Sequence, residues 1–202
     1  DTEHSPVEIA ALQPILQAAA TGTASAVARP AWNDKVLIKR LLDIGIQTLL
    51  VPFVETAAEA EAAVRATRYP PDGVRGVAGA TRASRYGTVP NYLQEANAEI
   101  CVLVQIETAQ AMARLEEIAV VEGVDGVFIG PSDLSASMGH LGNPGHPDVQ
   151  EAIRAAAQRI IAAGKVPGIL ATRAEDALRY RDWGYRFVAA GGDWGYRFVA
   201  AG

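Results

Sequence analysis

The sequence predicts an α/β fold, a (β/α)8 barrel of parallel strands, and three observations carry that reading. Short runs rich in Val, Ile, Leu and Ala alternate along the whole chain with Ala-rich stretches that are polar on one side, which is the pattern of successive βα units. The runs are continuously apolar, as strands buried on both faces are, where strands with one solvated face alternate. No Gly-rich phosphate fingerprint follows any of the runs, so an open dinucleotide-binding sheet loses its main support.

Taken in order, the strand-like runs are 25–29, 48–54, 75–80, 100–105, 126–129, 167–171 and 187–190. The helix-like stretches are 7–20, 34–43, 56–67, 91–97, 109–119, 147–163 and 174–182. Gly45, Gly123, Gly164 and Gly184 stand just past helix ends, where a left-handed C-cap is expected. With an eighth strand ending at or just before Asp1, the count is that of a closed barrel. A single barrel domain is expected over 1–191. The segment 182–191 then recurs letter for letter as 193–202. One perfect short duplication is unlike the diverged periods of roughly 20–50 residues that mark repeat proteins, and 192–202 is assigned no function.

Composition narrows the function classes. A chain of 202 residues, 50% hydrophobic and 20% charged, is sufficient for one large core. The net charge of -5 argues against a nucleic-acid partner, because Arg65, Arg68, Arg75, Arg82 and Arg85 are interrupted by acids and apolar residues. The single cysteine, Cys101, opens an apolar run and reads as a small buried hydrophobe without a disulfide framework, which suits a reducing cytoplasm. No apolar stretch approaches the roughly 20 residues of a membrane span, and no signal-peptide pattern is read at the start.

Two acids stand where apolar strands run out. Glu107 closes the run that starts at Ile100, and Asp133 follows Gly126 to Ile129 and the turn Gly130, Pro131, Ser132. Parallel neighbouring strands would set both carboxylates at one rim, where they repel each other and stay ionised most readily around a divalent cation. The competing reading makes them helix caps or first-turn acids favoured by the dipole. A Schiff-base mechanism lacks its lysine: Lys35 and Lys39 read as a polar helix face and Lys165 precedes a strand.

Six motifs in order then carry a resemblance. They are Asp1 to Pro6, Ala28-Arg29-Pro30, Leu41 to Gly45, Tyr69 to Gly76, Gln105-Ile106-Glu107 and Gly130 to Ser135. Together the chain resembles the HpcH/HpaI class II pyruvate aldolases, over 1 to about 191. The resemblance implies a metal-dependent aldolase on a TIM barrel, cleaving or forming 4-hydroxy-2-oxo acids to pyruvate plus an aldehyde, usually as a hexamer arranged as a trimer of dimers. It implies Mg2+, Mn2+ or Co2+ on Glu107 and Asp133. Gln105, Ser132 and Asp133 would hold the pyruvate carboxylate end, with Gly130, Pro131 and Leu170 lining the substrate site. His4 would be the base, Asp43 the residue that raises its basicity, and Arg29 the stabiliser of the enolate oxygen. Against the family pattern, the first strand and the last helical region are absent and Thr2 replaces a frequent glycine, so a longer complete protein is expected.

Each assignment has a plainer reading. His4 could be a surface histidine, Arg29 could pair with an acid at the rim, and His140 and His146 read as residues of a Gly/Pro/Asn-rich loop sooner than as ligands. Asp43 ends a helix, a poor place for a negative charge if its role were only structural. Trp32, Tyr180 and Trp183 read as packing between helices and barrel. The alternatives to an aldolase are a malyl- or citryl-CoA type lyase, which would need a basic groove, and a non-catalytic barrel subunit. Selectivity for the aldehyde is expected from 82–86, 138–146 and 170–173.

Overall fold

The structure, a computed structural model, describes residues 1–191 with their side chains and the backbone of Arg197–Ala200. The chain opens on α1 (Ile9–Ala19), which buries Leu12 and Leu16, one turn apart. After β1 (Val27–Ala28), Asp34 accepts the N–H groups of Val36 and Leu37 and starts α2 (Lys35–Asp43). Strand β2 (Thr48–Val51) leads to a reciprocal capping box between Thr56 and Glu59, which starts α3 (Ala57–Thr67). A 3-10 turn over Arg82–Ser84, the short α4 (Tyr92–Glu95) and a second 3-10 turn over Ala96–Glu99 then lead into β3 (Cys101–Ile106).

The second half is more regular. It runs α5 (Ala109–Ala113), α6 (Leu115–Ala119), β4 (Gly126–Ile129), α7 (Pro131–Ser137), α8 (Pro147–Ala162), β5 (Val166–Ala171), α9 (Ala174–Asp182) and β6 (Phe187–Ala190). β1 to β6 pair in sequence order and all in parallel, an arc of six strands from a (β/α)8 barrel.

Three expectations need correction. The run 75–80 is not a strand: the N–H groups of Val74 and Arg75 go to the carbonyls of Arg65 and Arg68 at the end of α3, and Val77 stands exposed, so β2 pairs with β3 directly. The expected seven strands therefore become six parallel ones. At the start of the chain Thr2 donates its N–H and its hydroxyl to the Arg29 carbonyl, beside the end of β1. The helix expected over 109–119 breaks at Arg114. An unexpected helix, α7, starts at Pro131, where the missing N–H and fixed φ suit a first helical position.

Strand residues on one face pack against the helices, among them Leu49, Val51, Val104, Ile106, Val127, Ile129 and Ile169. On the other face Leu50, Leu103, Phe128 and Ala189 form a second cluster, the barrel interior. That double burial explains the unbroken apolar runs. Interior positions alternate large and small across strands: Leu103 faces Gly126 and Phe128 faces Gly168 in register. A Cβ on Gly168 would come within 2.6 Å of the Phe128 ring, and one on Gly126 within 2.9 Å of Leu103. Cys101 packs at the base of this interior only partly buried, where full burial was expected, its thiol pushed up to about 11 by burial and by Asp125.

The duplicated segment lies partly outside the described residues. Its strand β7 (Arg197–Ala200) pairs antiparallel with β6, the first copy, setting Ala190 against Arg197 and Phe187 against Ala200.

Candidate active site

The period of two along each strand decides which side chains meet at the C-terminal rim. Val27 packs in the interior, so Arg29 two residues on points to the same side. Leu103, Gln105 and Glu107 share a face in the same way, as do Phe128 and Gly130. Arg29, Gln105, Gly130 and Leu170, with Asp1 and Phe128, accordingly line one cavity of about 50 Å³.

Arg29 is held from three directions. Its Nε and Nη2 donate to the two oxygens of Asp1 at 2.9 and 2.7 Å, a bidentate fork. Its Nη1 lies 3.1 Å from a Glu3 oxygen. All three side chains are nearly buried, so the guanidinium has little rotational freedom.

Glu107 is the conspicuous acid. It is 2% exposed, and its Oε1 has no hydrogen-bond partner. Burial pushes its carboxyl up to about 8, and the Glu3 and Asp133 carboxylates add to the shift, while Arg29 and the Phe53 N–H oppose it. The helix after β3 is capped by Thr108, whose hydroxyl accepts from Ala111, so Glu107 is not a cap. Asp133 sits in the first turn of α7, so the first-turn reading holds for it without excluding a ligand role. Gly130 provides the room: a Cβ there would stand 3.0 Å from Glu107 Cγ and 3.1 Å from Gln105 Nε2.

These observations test whether a divalent cation fits. A buried carboxylate with an unused oxygen, a second carboxylate beside it and a glycine cradle form an all-oxygen donor set, the kind that hard cations take. A cation there removes the repulsion that otherwise favours protonated Glu107. The residues fit the group.

Two assigned residues are not brought together. Asp43 ends α2 at the N-terminal side of the strands, where Arg75 Nη2 donates to its Oδ1 at 3.1 Å. His4, 53% exposed, lies at the opposite rim, its Nε2 3.8 Å from Glu3 Oε2. No His4–Asp43 dyad forms within one chain, which the simple geometry of a βα unit anticipates. Pro131 is buried as the first residue of α7, while Ser132 is exposed.

Sequence reasoning overlooked Asp1 and Glu3 as partners of Arg29, and the Phe53 N–H beside Glu107. Phe53 has φ +49, a left-handed conformation that a side chain rarely adopts, and it stacks on Trp32 with ring centroids 5.7 Å apart. Trp32 is more than half exposed, so it packs on this rim turn and not between helix and barrel. Only the alternation of charge in Asp1-Thr2-Glu3 hinted at a two-acid clamp.

Six parallel strands with acids, a glycine cradle and a clamped guanidinium at their C-terminal ends define a class of barrel enzyme. The chain belongs to the HpcH/HpaI aldolase/citrate lyase family, which matches residues 1–198. It is 58% identical over 191 residues to a pyruvate aldolase of Rhizobium etli, a match covering 95% of this chain and 75% of that protein. It is 57% identical over 192 residues to a 4-hydroxy-2-oxo-heptane-1,7-dioate aldolase of Shigella sonnei, covering 95% and 73%. Among solved structures, an HpcH/HpaI aldolase/citrate lyase family protein from Burkholderia cenocepacia J2315 superposes with a TM-score of 0.91 at 42% identity, covering 95% of this chain and 77% of that one. A distant neighbour, the citrate lyase beta subunit of M. tuberculosis complexed with oxaloacetate and magnesium, shares the fold at a TM-score of 0.56 and 16% identity, over 82% of this chain and 67% of that one. Among the described residues no helix is long and apolar enough to cross a membrane.

Proposed function

We propose that the rim cluster is the active centre of a metal-dependent carbon–carbon lyase that cleaves 4-hydroxy-2-oxo acids to pyruvate and an aldehyde, or forms them. The chain is a class II pyruvate aldolase of the HpcH/HpaI family, the activity its relatives are named for. The observation that carries the mechanism is the buried Glu107 with its unused oxygen, beside a cavity that Arg29 and Gln105 line.

Glu107 and Asp133 would hold the cation, Mg2+, Mn2+ or Co2+. When bound, it supplies a Lewis acid for the 2-oxo oxygen and carboxylate of the substrate. Gln105, whose Nε2 stands beside Gly130 in the cavity wall, donates to the carboxylate end together with the backbone at the start of α7, Ser132 and Asp133. Gly130, Pro131 and Leu170 shape the wall. His4 takes the proton of the 4-hydroxyl; the C3–C4 bond breaks, the aldehyde carbonyl forms at C4, and the electron pair passes to the pyruvate enolate. Arg29 meets the developing enolate oxygen with a charge already fixed by Asp1 and Glu3, so no reorganisation is needed as the oxyanion forms.

Asp43 reaches His4 only if a second copy of the chain brings it. The Asp43 carboxylate is partly exposed, and the proposed assembly is a homo-oligomer, a hexamer built as a trimer of dimers, with sites shared between subunits. Mixing inactive H4A and D43N proteins tests this. Activity regained on mixing supports the shared site, and none regained at full exchange removes the dyad. For the reaction itself, pyruvate release from 4-hydroxy-2-oxoheptanedioate is expected with metal present, lost after chelation and restored by Mg2+, Mn2+ or Co2+. Full activity after exhaustive chelation would reject the metal role.

A further inference from the structure

The connection from α7 to α8 gathers three ligand-type side chains outside the acidic cluster. His140, His146 and Asp148 each present one ligand atom, and the three atoms lie within 4.8 Å of one another. His140 Nε2 and His146 Nδ1 both face the same oxygen, Asp148 Oδ2, at 3.8 and 3.7 Å. The two imidazoles are stacked, ring centroids 3.5 Å apart and planes 13° from parallel.

The backbone holds this arrangement. His140 N–H donates to Ser135 O, Asn143 N–H to His140 O and His146 N–H to Asn143 O, a series of turns that returns the second histidine to the first. Asp148 is fixed in the first turn of α8, and His146 is its N-cap. Sequence reasoning, seeing five intervening positions rich in Gly, Asn and Pro, had no means of placing the two rings face to face.

We propose that His140, His146 and Asp148 form a second metal site, for a borderline transition-metal ion such as Zn2+ or Ni2+. Ligand atoms of a tetrahedral zinc site stand about 3.3 Å apart, given bonds of roughly 2.0–2.2 Å. The His140–Asp148 and His146–Asp148 separations need to contract by about half an ångström, and the two imidazoles must turn out of their stack so that both nitrogens converge, a change about χ1 and χ2 open to partly exposed side chains. The ion replaces the long 3.3 Å cap bond from Asp148 N–H to His146 Nδ1. Two imidazoles and one carboxylate select Zn2+, Ni2+ or Cu2+ over Mg2+, the reverse of the all-oxygen set at Glu107 and Asp133. The dipole at the start of α8 opposes a cation, and the Asp148 charge offsets it. With Asp148 71% exposed, a fourth position faces solvent. Bound there, the ion ties the end of α7, the helix that carries Ser132 and Asp133, to the start of α8. The site does not rest on the aldolase reading.

The test uses the E107Q/D133N protein, whose oxygen site is removed, titrated with Zn2+ by calorimetry. One equivalent is expected to bind. Adding H140A or H146N should each weaken binding by more than the ~10–100-fold that loss of an outer partner costs a metal site. H146N keeps a good N-cap residue for α8, so its loss of binding reports the imidazole and not the helix. With Cu2+ as the probe, electron paramagnetic resonance is expected to show two coordinating nitrogens in E107Q/D133N and one fewer in H140A. Failure of E107Q/D133N to bind Zn2+, or unchanged binding in either histidine variant, overturns the proposal.

Discussion

Among the described residues, Arg75 is fully buried and Arg29 nearly so, and their surroundings differ in sign. Arg29, at the C-terminal rim, stands among the carboxylates of Asp1 and Glu3 with Glu107 and Asp133 beyond. Arg75, fully buried at the opposite end, has one carboxylate, Asp43, the Tyr92 hydroxyl, and the face of Tyr69 4.4 Å from its guanidinium carbon. Its Nε and Nη1 have no hydrogen-bond partner, and burial pushes the Tyr69 hydroxyl up to about 12. The rim has an excess of acceptors and calls for a cation. The other end has an excess of donors, held by packing and a cation–π contact. The comparison separates a guanidinium arranged for chemistry from one that is part of the core.

The largest effect is expected at the rim. Glu107→Gln should abolish metal-dependent turnover, since a Lewis acid supplies several kcal/mol, roughly 10³-fold in rate; cation binding by calorimetry should fall with it. If turnover survived, the acid excess would be only structural and the contrast between the ends would fail. Arg29→Ala should lower kcat by about 10²–10³-fold, or ~2.7–4 kcal/mol by analogy with oxyanion donors, with KM nearly unchanged. A raised KM at normal kcat would make Arg29 a substrate anchor.

Arg75→Ala should leave the metal affinity of the rim intact and cost stability, about 3 kcal/mol, because it strands Asp43 and empties a packed site. Urea unfolding measures it, and the double variant R75M/D43N should recover much of the loss by removing the charge pair as a unit. The smallest effect concerns the Arg159–Glu116 pair joining α8 to α6, a fork with both distances at 2.5 Å. Its hydrogen bonds with Arg159 hold the Glu116 carboxyl down at about 2. A depressed carboxyl adds stability that is present above its unfolded value of about 4.3 and is lost as pH falls toward 2. Glu116 is about half exposed and Arg159 a third exposed, so solvent screening limits the contribution to about 1 kcal/mol or less. Denaturation midpoints of wild type and E116Q should therefore converge between pH 4 and 2.

How much of this is legible in the sequence depends on whether a signal is local. The rim positions of Glu107 and Asp133 were readable because each follows an unbroken apolar run, whereas Gly130 entered only with the family resemblance and its role as room for the Glu107 side chain appears only in the structure. The strand expected at 75–80 was misread because Arg75 and Val77 resemble a short apolar run, while their placement depends on Asp43, Tyr69 and Tyr92, 32, 6 and 17 positions away. Helix α7 was hidden inside a motif whose residues drew attention for chemistry, though Pro131 is a sound start signal. The clamp on Arg29 was unreadable because it joins positions 28 apart, and the histidine pair because stacking follows from turns that composition alone does not specify.

The facing of Phe128 by Gly168 bears on substrate size. Phe128 forms part of the cavity wall that also includes Gly130 and Leu170, and its ring fills the space that Gly168 leaves vacant. Bulk is therefore partitioned between neighbouring strands, and moving it from one to the other resets the depth of the chamber without changing its total filling. A protein with a smaller residue at 128 and a larger one at 168 would keep the same barrel and accept a longer acid or aldehyde, so the floor of the chamber is where this scaffold can be retailored while its acids and guanidinium stay where they are.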